Sequence, residues 1–438
     1  MRCIMFYLHL LLLFLLIGTE LFFLYLEARN LNYGEQKARQ KRDWLKEAFA
    51  VDDLDELLSY NRLNSGFSRL KGGIFLIITL LVLYSGLFAR IVELIETHLP
   101  HRPLDLSLAG VVFFAGLSML TLLLGAPFSA FKTFVIEEIF DFNTTTLKLW
   151  VKDLFKSLLL TALIVSFLSA ALLYFVDLIP QFWWLAGWGL FVGFGLLMQI
   201  IYPRLIAPLF NKFERVEEGE LSEAVEEVFD SAGFECSQIY TMDASRRSSH
   251  SNAYFVGFGR TKRVVLFDTL VKQMSLPQVQ AVLAHELAHW KKGHIWKRVL
   301  LGAAKNFIVF MILFYLLESR WLYEMFAVEV VPYAGFFLAG LWLSPIGRWL
   351  SPLTNYFSIN DEKEADRFAR GVLEDPEPMI GALCKLGGEN LANPFPDPLY
   401  AAFHYSHPPI PERIRLLKDQ NSTSKEAEEV ETEKISDD

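Results

Sequence analysis

Seven runs of roughly 20 apolar residues constrain this chain more than anything else in it. They lie at about 4–26, 73–96, 106–126, 155–176, 182–202, 299–317 and 326–347 of 438 residues. A helix rises about 1.5 Å per residue, so about 20 residues cross a hydrocarbon core about 30 Å thick. One such run could be a buried core helix. The set cannot be, because stretches such as Leu158–Val176 and Val111–Ala126 carry no charge. The first run follows Arg2 but is too long for a signal-peptide core and lacks a small-residue cleavage site, so it reads as a retained helix. Composition agrees: 53 % hydrophobic, 21 % charged and 38 Phe are unlike a soluble globular chain. The expected fold is a mainly α, multi-pass membrane protein with seven transmembrane helices.

Lys and Arg in short loops set orientation. The loop at 27–72 holds nine: Arg29, Lys37, Arg39, Lys41, Arg42, Lys46, Arg62, Arg69 and Lys71. The loop at 127–154 holds Lys132, Lys148 and Lys152, whereas 97–105 has only Arg102, 177–181 none and 318–325 only Arg320. The alternation predicts the N-terminus outside and the C-terminus cytoplasmic, with 203–298 and 348–418 forming a cytoplasmic domain in two pieces. Residues 1–202 then carry helices one to five, 299–347 helices six and seven, and 419–438 a disordered acidic tail.

Polar residues inside the apolar runs (Glu20, Arg90, Glu93, Gln199, Lys305 and Asn306) line a bundle interior or a wet cavity, or else bind helix to helix, rather than face lipid. Gly189 and Gly193 form a G-x-x-x-G, read as a close helix contact. Cys3, Cys236 and Cys384 are too scattered for a disulfide framework or a thiolate metal site. A net charge of −9 leaves no basic stripe for nucleic acid.

In the cytoplasmic pieces, 220–232 reads as an amphipathic helix, and 238–242, 253–258 and 263–268 as strands. Ser275-Leu276-Pro277-Gln278 is a capping-box pattern that opens a helix from 277 through AVLAHELAHWKKGH, and 277–317 reads as helices that run straight into the membrane. Residues 358–372 and 411–418 read as further helices. On the helix opened at 277 lies His285-Glu286-Leu287-Ala288-His289. Histidines four apart share a helix face and can reach one ion, while Glu286 is placed as general base. A catalytic zinc site takes three protein ligands. The helix at 358–372 offers Glu362, Glu364 and Asp366; Glu362 and Asp366 share a face, and Glu364 is read as solvated. Asn252-Ala253-Tyr254 reads as an edge strand near the site. His404, Tyr405 and His407 form a donor cluster ahead of the last helix, candidates to stabilise an oxyanion.

An H-E-x-x-H with a later E-x-x-x-D resembles the thermolysin-like peptidases. The resemblance implies that Glu362 is the third zinc ligand, that Asp366 orients a ligand histidine, and that Asn252, Ala253 and Tyr254 pair with substrate backbone. AVLAHELAHWKKGH, RSSHSNAYFVGFGR, EKEADRFA, HYSHPPIPERI, PLFNKF and VIEEIFDFN together are similar to the type I CAAX prenyl endopeptidase family. That similarity covers about 1–418. It implies a chamber enclosed by the seven helices, closed on its cytoplasmic side by a thermolysin-like α+β zinc domain. It further implies removal of the last three residues of prenylated C-a-a-X substrates presented from membrane lipid, with His407 as oxyanion donor and Arg413 supporting the site. The chain ends in Lys-Ile-Ser-Asp-Asp without a di-lysine signal, which leaves a bacterial inner membrane and a eukaryotic endoplasmic reticulum membrane both open. Two rivals are a quality-control metallopeptidase of membranes and a non-catalytic channel or binding protein; the intact Glu286 argues against the second.

Overall fold

Apolar length translates directly into helix length in the structure, a computed structural model that describes residues 2–419 apart from 52, 100–104, 234–237, 257–262 and 374. Cys236, Arg102, residues 257–258 of the second expected strand and the tail from 420 onward lie outside the described residues. Five long helices come first: α1 (Arg2–Gln40), α2 (Leu54–Tyr84), α3 (Asp105–Phe131), α4 (Leu147–Leu178) and α5 (Trp183–Ile201). A mixed unit follows, with β1 (Phe213–Arg215), α6 (Glu220–Ser231), β2 (Gln238–Met242), β3 (Ala253–Val256), β4 (Arg263–Phe267) and α7 (Leu276–Lys291). Two apolar helices, α8 (His294–Leu317) and α9 (Pro332–Trp349), precede α10 (Ser351–Leu373), α11 (Glu377–Glu389), α12 (Pro398–His404) and α13 (Ile410–Lys418).

Several expectations need correction. Among the described residues six helices are long and apolar enough, by length and composition, to cross a membrane, against the seven expected. The run at 326–347 gives α9, whose 18 residues include Pro345 and Arg348 and whose Tyr333, Ala334, Leu338 and Ala339 are buried. The run at 73–96 is not one helix: α2 stops at Tyr84, Gly86 takes φ +77°, and a separate helix Leu87–His98 begins. Nor is 277–317 continuous, because Gly293 at φ +70° separates α7 from α8. The boundary drawn at 298/299 therefore falls inside α8, and that at 347/348 inside α9. α1 runs well past residue 26, α10 begins at Ser351, and β1, α11 and α12 were not foreseen. Their three to 13 residues are too short or too weakly periodic to stand out.

The apolar helices pack on one another chiefly at the end away from the sheet. There Leu12, Phe88, Phe113, Leu173, Trp183, Phe310 and Tyr333 form one buried cluster. Elsewhere along their length most of each span's apolar surface is exposed, as expected of helices that face lipid. A Cβ on Gly189 or Gly193 would meet no atom within 4 Å, so that pair is not a helix contact; Gly187 is the close approach, against Phe310 and Leu172. Glu20 is neutralised by Arg348 at 2.7 Å.

The second body is built on the four-stranded sheet, in order β1-β2-β4-β3. β2 and β4 run parallel, and β1 and β3 flank them antiparallel, with Ala253 opposite Leu266 and Tyr254 opposite Val265. α6 and α7 cover the sheet through Val225, Phe229, Leu283 and Leu287 against Ile239, Val264 and Leu266. Each leucine so buried contributes roughly 1.5–3 kcal/mol.

Candidate metal centre

α7 starts where the sequence predicts it to. Ser275 and Gln278 form the capping box, with the Ser275 N–H donating to Gln278 Oε1 at 3.1 Å, and Pro277 occupies the first turn. Its facing residues are small: Ala281, Ala284 and Ala288 are fully buried, as are Ala365 and Ala369 of α10. Two helices lined by alanine can approach closely, and α7 packs along α10. That approach sets His285 and His289 opposite Glu362.

The three residues converge. One ligand atom from each of His285, His289 and Glu362 lies within 4.8 Å of the others. His285 Nε2 is 3.1 Å from Glu362 Oε2, and His289 Nε2 is 3.3 Å from Glu362 Oε1. The other nitrogen of His285 is 2.9 Å from Asp366 Oδ1. Because a carboxylate only accepts, Nδ1 of His285 carries a proton toward Asp366, and Nε2, which faces Glu362, is the nitrogen that would turn its lone pair to a bound cation. Arg413 in turn grips Asp366 through Nε and Nη2 at 2.8 and 2.6 Å. Glu286, half-buried, sits one residue after His285 and so about 100° around the helix.

Burial and charge explain the electrostatics. Glu362, Asp366 and Asp361 are each about 2 % exposed or less. Burial alone would push the Glu362 carboxyl up, but hydrogen bonds from His285, His289 and His407 outweigh it and hold it well below the usual carboxylate range. Asp366 is likewise depressed despite its burial, chiefly by Arg413 and then His285. Burial lowers the His285 imidazole, yet the hydrogen bonds to Asp366 and Glu362 prevail and raise it to about 9. Lys297 pairs with Asp361 at 2.7 Å. Glu362 and Asp366 thus place two buried carboxylates beside the histidines, charge that complements a cation. The donor set of two imidazole nitrogens and a carboxylate fits a divalent transition metal held at three positions with a fourth left open.

Around this centre His407 comes from the turn before α13, with Nδ1 2.7 Å from Glu362 Oε2 and a side chain 59 % exposed. His404 does not join it: the ring stacks on Tyr400 at 4.2 Å and meets Phe23 edge-on, and burial lowers its basicity. Tyr405 packs against Tyr400 instead, and burial pushes its phenol up to about 12. Asn252 precedes β3, its side chain accepting from the Ala253 N–H at 2.8 Å and its carbonyl from the Phe267 N–H at 3.0 Å. Ala253 and Tyr254 begin β3, an edge of the sheet beside α7.

Glu364 is not merely solvated. Its Oε2 lies 3.0 Å from His294 Nε2, and His294 Nδ1 lies 3.0 Å from His289 Nδ1. His294 was missed by sequence reasoning, since five residues along an unbroken helix turns it about 140° from His289. The signal that could have found it is Gly293, a helix-ending glycine immediately before it.

Comparison with known proteins agrees with this geometry. Residues 36–212 match the model described as CAAX prenyl protease N-terminal, five membrane helices, and residues 215–421 match peptidase family M48. The chain belongs to peptidase family M48. It is 37 % identical to a CAAX prenyl protease 1 homolog of Oryza sativa subsp. japonica, over 71 % of this chain and 74 % of that one. It is 35 % identical to CAAX prenyl protease 1 of Saccharomyces cerevisiae, over 84 % and 87 %. In structure it is similar to S. mikatae Ste24p, with a TM-score of 0.82 and 31 % identity, covering 94 % of this chain and 99 % of that one. This M48 chain is thus a multi-pass membrane metalloprotease, with apolar helices and a peptidase unit in one polypeptide.

Proposed function

We propose that this protein is a zinc endopeptidase that removes the last three residues of prenylated C-a-a-X proteins, cutting after the prenylcysteine. The observation that carries the reading is the convergence of His285, His289 and Glu362, with Glu286 beside His285, in a chain whose apolar helices are long enough to cross a membrane. Zinc held there supplies Lewis acidity and lowers the pKa of a water toward about 7. Glu286 takes the proton of the attacking water and delivers it to the departing amine. His407, exposed and within reach of the ligand cluster, donates a hydrogen bond to the oxygen that gains charge in the transition state. Arg413 and Asp366 keep His285 in the ligating tautomer. The free edge of β3, from Asn252 to Tyr254, pairs with the substrate backbone, which demands no particular side chains.

A prenyl group accounts for the apolar helices. Buried lipid contributes about 0.8 kcal/mol per CH₂, enough to dominate recognition of a short peptide. The apolar helices supply the surface against which the lipid lies. The basic loops 27–72 and 127–154 lie on the side of the sheet, through Arg29–Asp397 at 2.7 Å and Thr145 to the Arg247 carbonyl at 3.0 Å. That supports a cytoplasmic active site, a C-terminus on the same face and an N-terminus outside, in an endoplasmic reticulum membrane or its bacterial counterpart.

Purified protein in detergent, given a farnesylated C-a-a-X peptide and its unmodified twin at equal concentration, tests the reading by mass spectrometry. The farnesylated peptide should be cut faster, at a single bond. Equal rates, or cuts scattered along the peptide, would remove the prenyl assignment while leaving the peptidase chemistry.

A further inference from the structure

We propose that His294 and Glu364 position His289, the second histidine of the metal centre, through a hydrogen-bonded relay; this rests on the metal site proposed above. His294 is 1 % exposed, and both ring nitrogens have partners: Nε2 is 3.0 Å from Glu364 Oε2, and Nδ1 is 3.0 Å from His289 Nδ1. A carboxylate only accepts, so the proton of neutral His294 sits on Nε2 and its Nδ1 offers a lone pair. Two ring nitrogens at 3.0 Å need one donor and one acceptor, so His289 donates from Nδ1. Its Nε2, which faces Glu362 at 3.3 Å, is then the nitrogen left to turn its lone pair to a bound metal. The opposite tautomer of His289 would carry its proton on the atom that must ligate.

The two metal-binding imidazoles are therefore oriented by different means. His285 leans directly on Asp366, whereas His289 leans on a second imidazole that leans on Glu364. The fold builds the longer route because α7 ends at Lys291 and Gly293, at φ +70°, turns the chain back. Without that reversal His294 would face away from His289. Lys292 steadies the carboxylate from its other side, at 3.5 Å. Glu364 shares helix α10 with Glu362 and Asp366, so this one helix supplies a ligand and the anchors of both histidines.

Full-length protein in detergent, stripped of metal and titrated with zinc against a chromophoric chelator, gives the test. His294→Phe fills the space but cannot accept from His289, and its apparent Kd for zinc should rise about 10–100-fold. His294→Asn places an amide oxygen close to the lost Nδ1 and should recover much of that affinity. Glu364→Ala should weaken zinc binding in the same direction but less, since one link of the relay remains. Melting of the metal-free proteins reports whether each variant folds; should His294→Phe fail to fold, the Glu364→Ala arm decides alone. Glu362→Ala is the control for the site. If it loses zinc while His294→Phe and Glu364→Ala bind as wild type, the relay alone falls. If His294→Asn is as weak as His294→Phe with Glu364→Ala unchanged, packing rather than hydrogen bonding is at work and the relay is overturned. If Glu362→Ala keeps its zinc, the site and the relay fall together.

Discussion

Glu286 and Glu362 are both glutamates beside the same two histidines, and their surroundings divide their tasks. Glu362 is 2 % exposed and hydrogen-bonded by His285, His289 and His407, so it stays ionised and suits a ligand. Glu286 is half-buried and outside that set of hydrogen bonds, which suits its proposed role as the base that exchanges protons. Glu286→Gln should keep zinc and bind substrate while turnover falls at least about 10²-fold, because it removes only the proton acceptor. His407→Ala should reduce kcat more than it raises KM, since an oxyanion donor acts mainly in the transition state. Metal analysis and steady-state kinetics on both variants check this, and near-normal turnover in Glu286→Gln would assign the base elsewhere. Of the site, the H-E-x-x-H pair was legible because four residues on a helix define a face. The anchoring of His289 was not, because His294 and Glu364 are 70 residues apart and meet only in space.

At the scale of elements, the decisive feature is a break. α7 has a packed alanine face, and α8 is an apolar membrane span; a straight continuation would have turned residue 294 away from the site. Gly293 supplies the left-handed residue that redirects the chain, and an added Cβ there would meet no atom within 4 Å. The cost of a substitution is thus in the backbone alone, about 1–2 kcal/mol for a residue with a Cβ. Gly293→Ala should lower the melting temperature and weaken zinc binding together, and Gly293→Asn, which tolerates the left-handed region better, should do less of both. Thermal melting with and without zinc measures it; an unchanged Gly293→Ala protein would mean the reversal is set by neighbouring contacts. Gly86, at φ +77°, breaks the second apolar run in the same manner. Hydropathy follows side chains and is blind to a reversal made by the main chain.

Across the whole molecule, the peptidase unit is tied to the helices on the side of the basic loops. Asn61 donates to the Leu391 carbonyl at 2.9 Å, and Arg247 joins Asp153 at 2.8 Å. Asn143, in the sequon Asn-Thr-Thr, lies in this junction: its Nδ2 donates to Glu138 at 2.7 Å and its Oδ1 accepts from the Thr145 N–H at 2.8 Å. Expressed in a eukaryotic host, the protein should carry no sugar at Asn143, and none at Asn421, where Asn-Ser-Thr forms the second sequon. Glycosidase treatment followed by gel mobility or mass spectrometry reads this directly. Sugar at either position would reverse the orientation drawn from the basic loops.

Sequence by itself determined the solvent of this protein and the chemistry of its centre. Apolar runs report helix length because each residue adds a fixed rise, and His285, Glu286 and His289 report a site because helical periodicity groups them on neighbouring parts of one surface. Tertiary structure alone decided what those local rules cannot reach. It buried Tyr333, Ala334, Leu338 and Ala339 of α9 against neighbouring helices, and left Gly189 and Gly193 without the contact their spacing promised. It brought Glu362 within reach of histidines 73 and 77 residues earlier, through two alanine-lined helices, and let Gly293 set His294 between His289 and Glu364. The physical reason is one of range: helical spacing and side-chain hydropathy act over a few residues, whereas a metal centre and its hydrogen-bonded supports are assembled by packing between elements far apart in the chain.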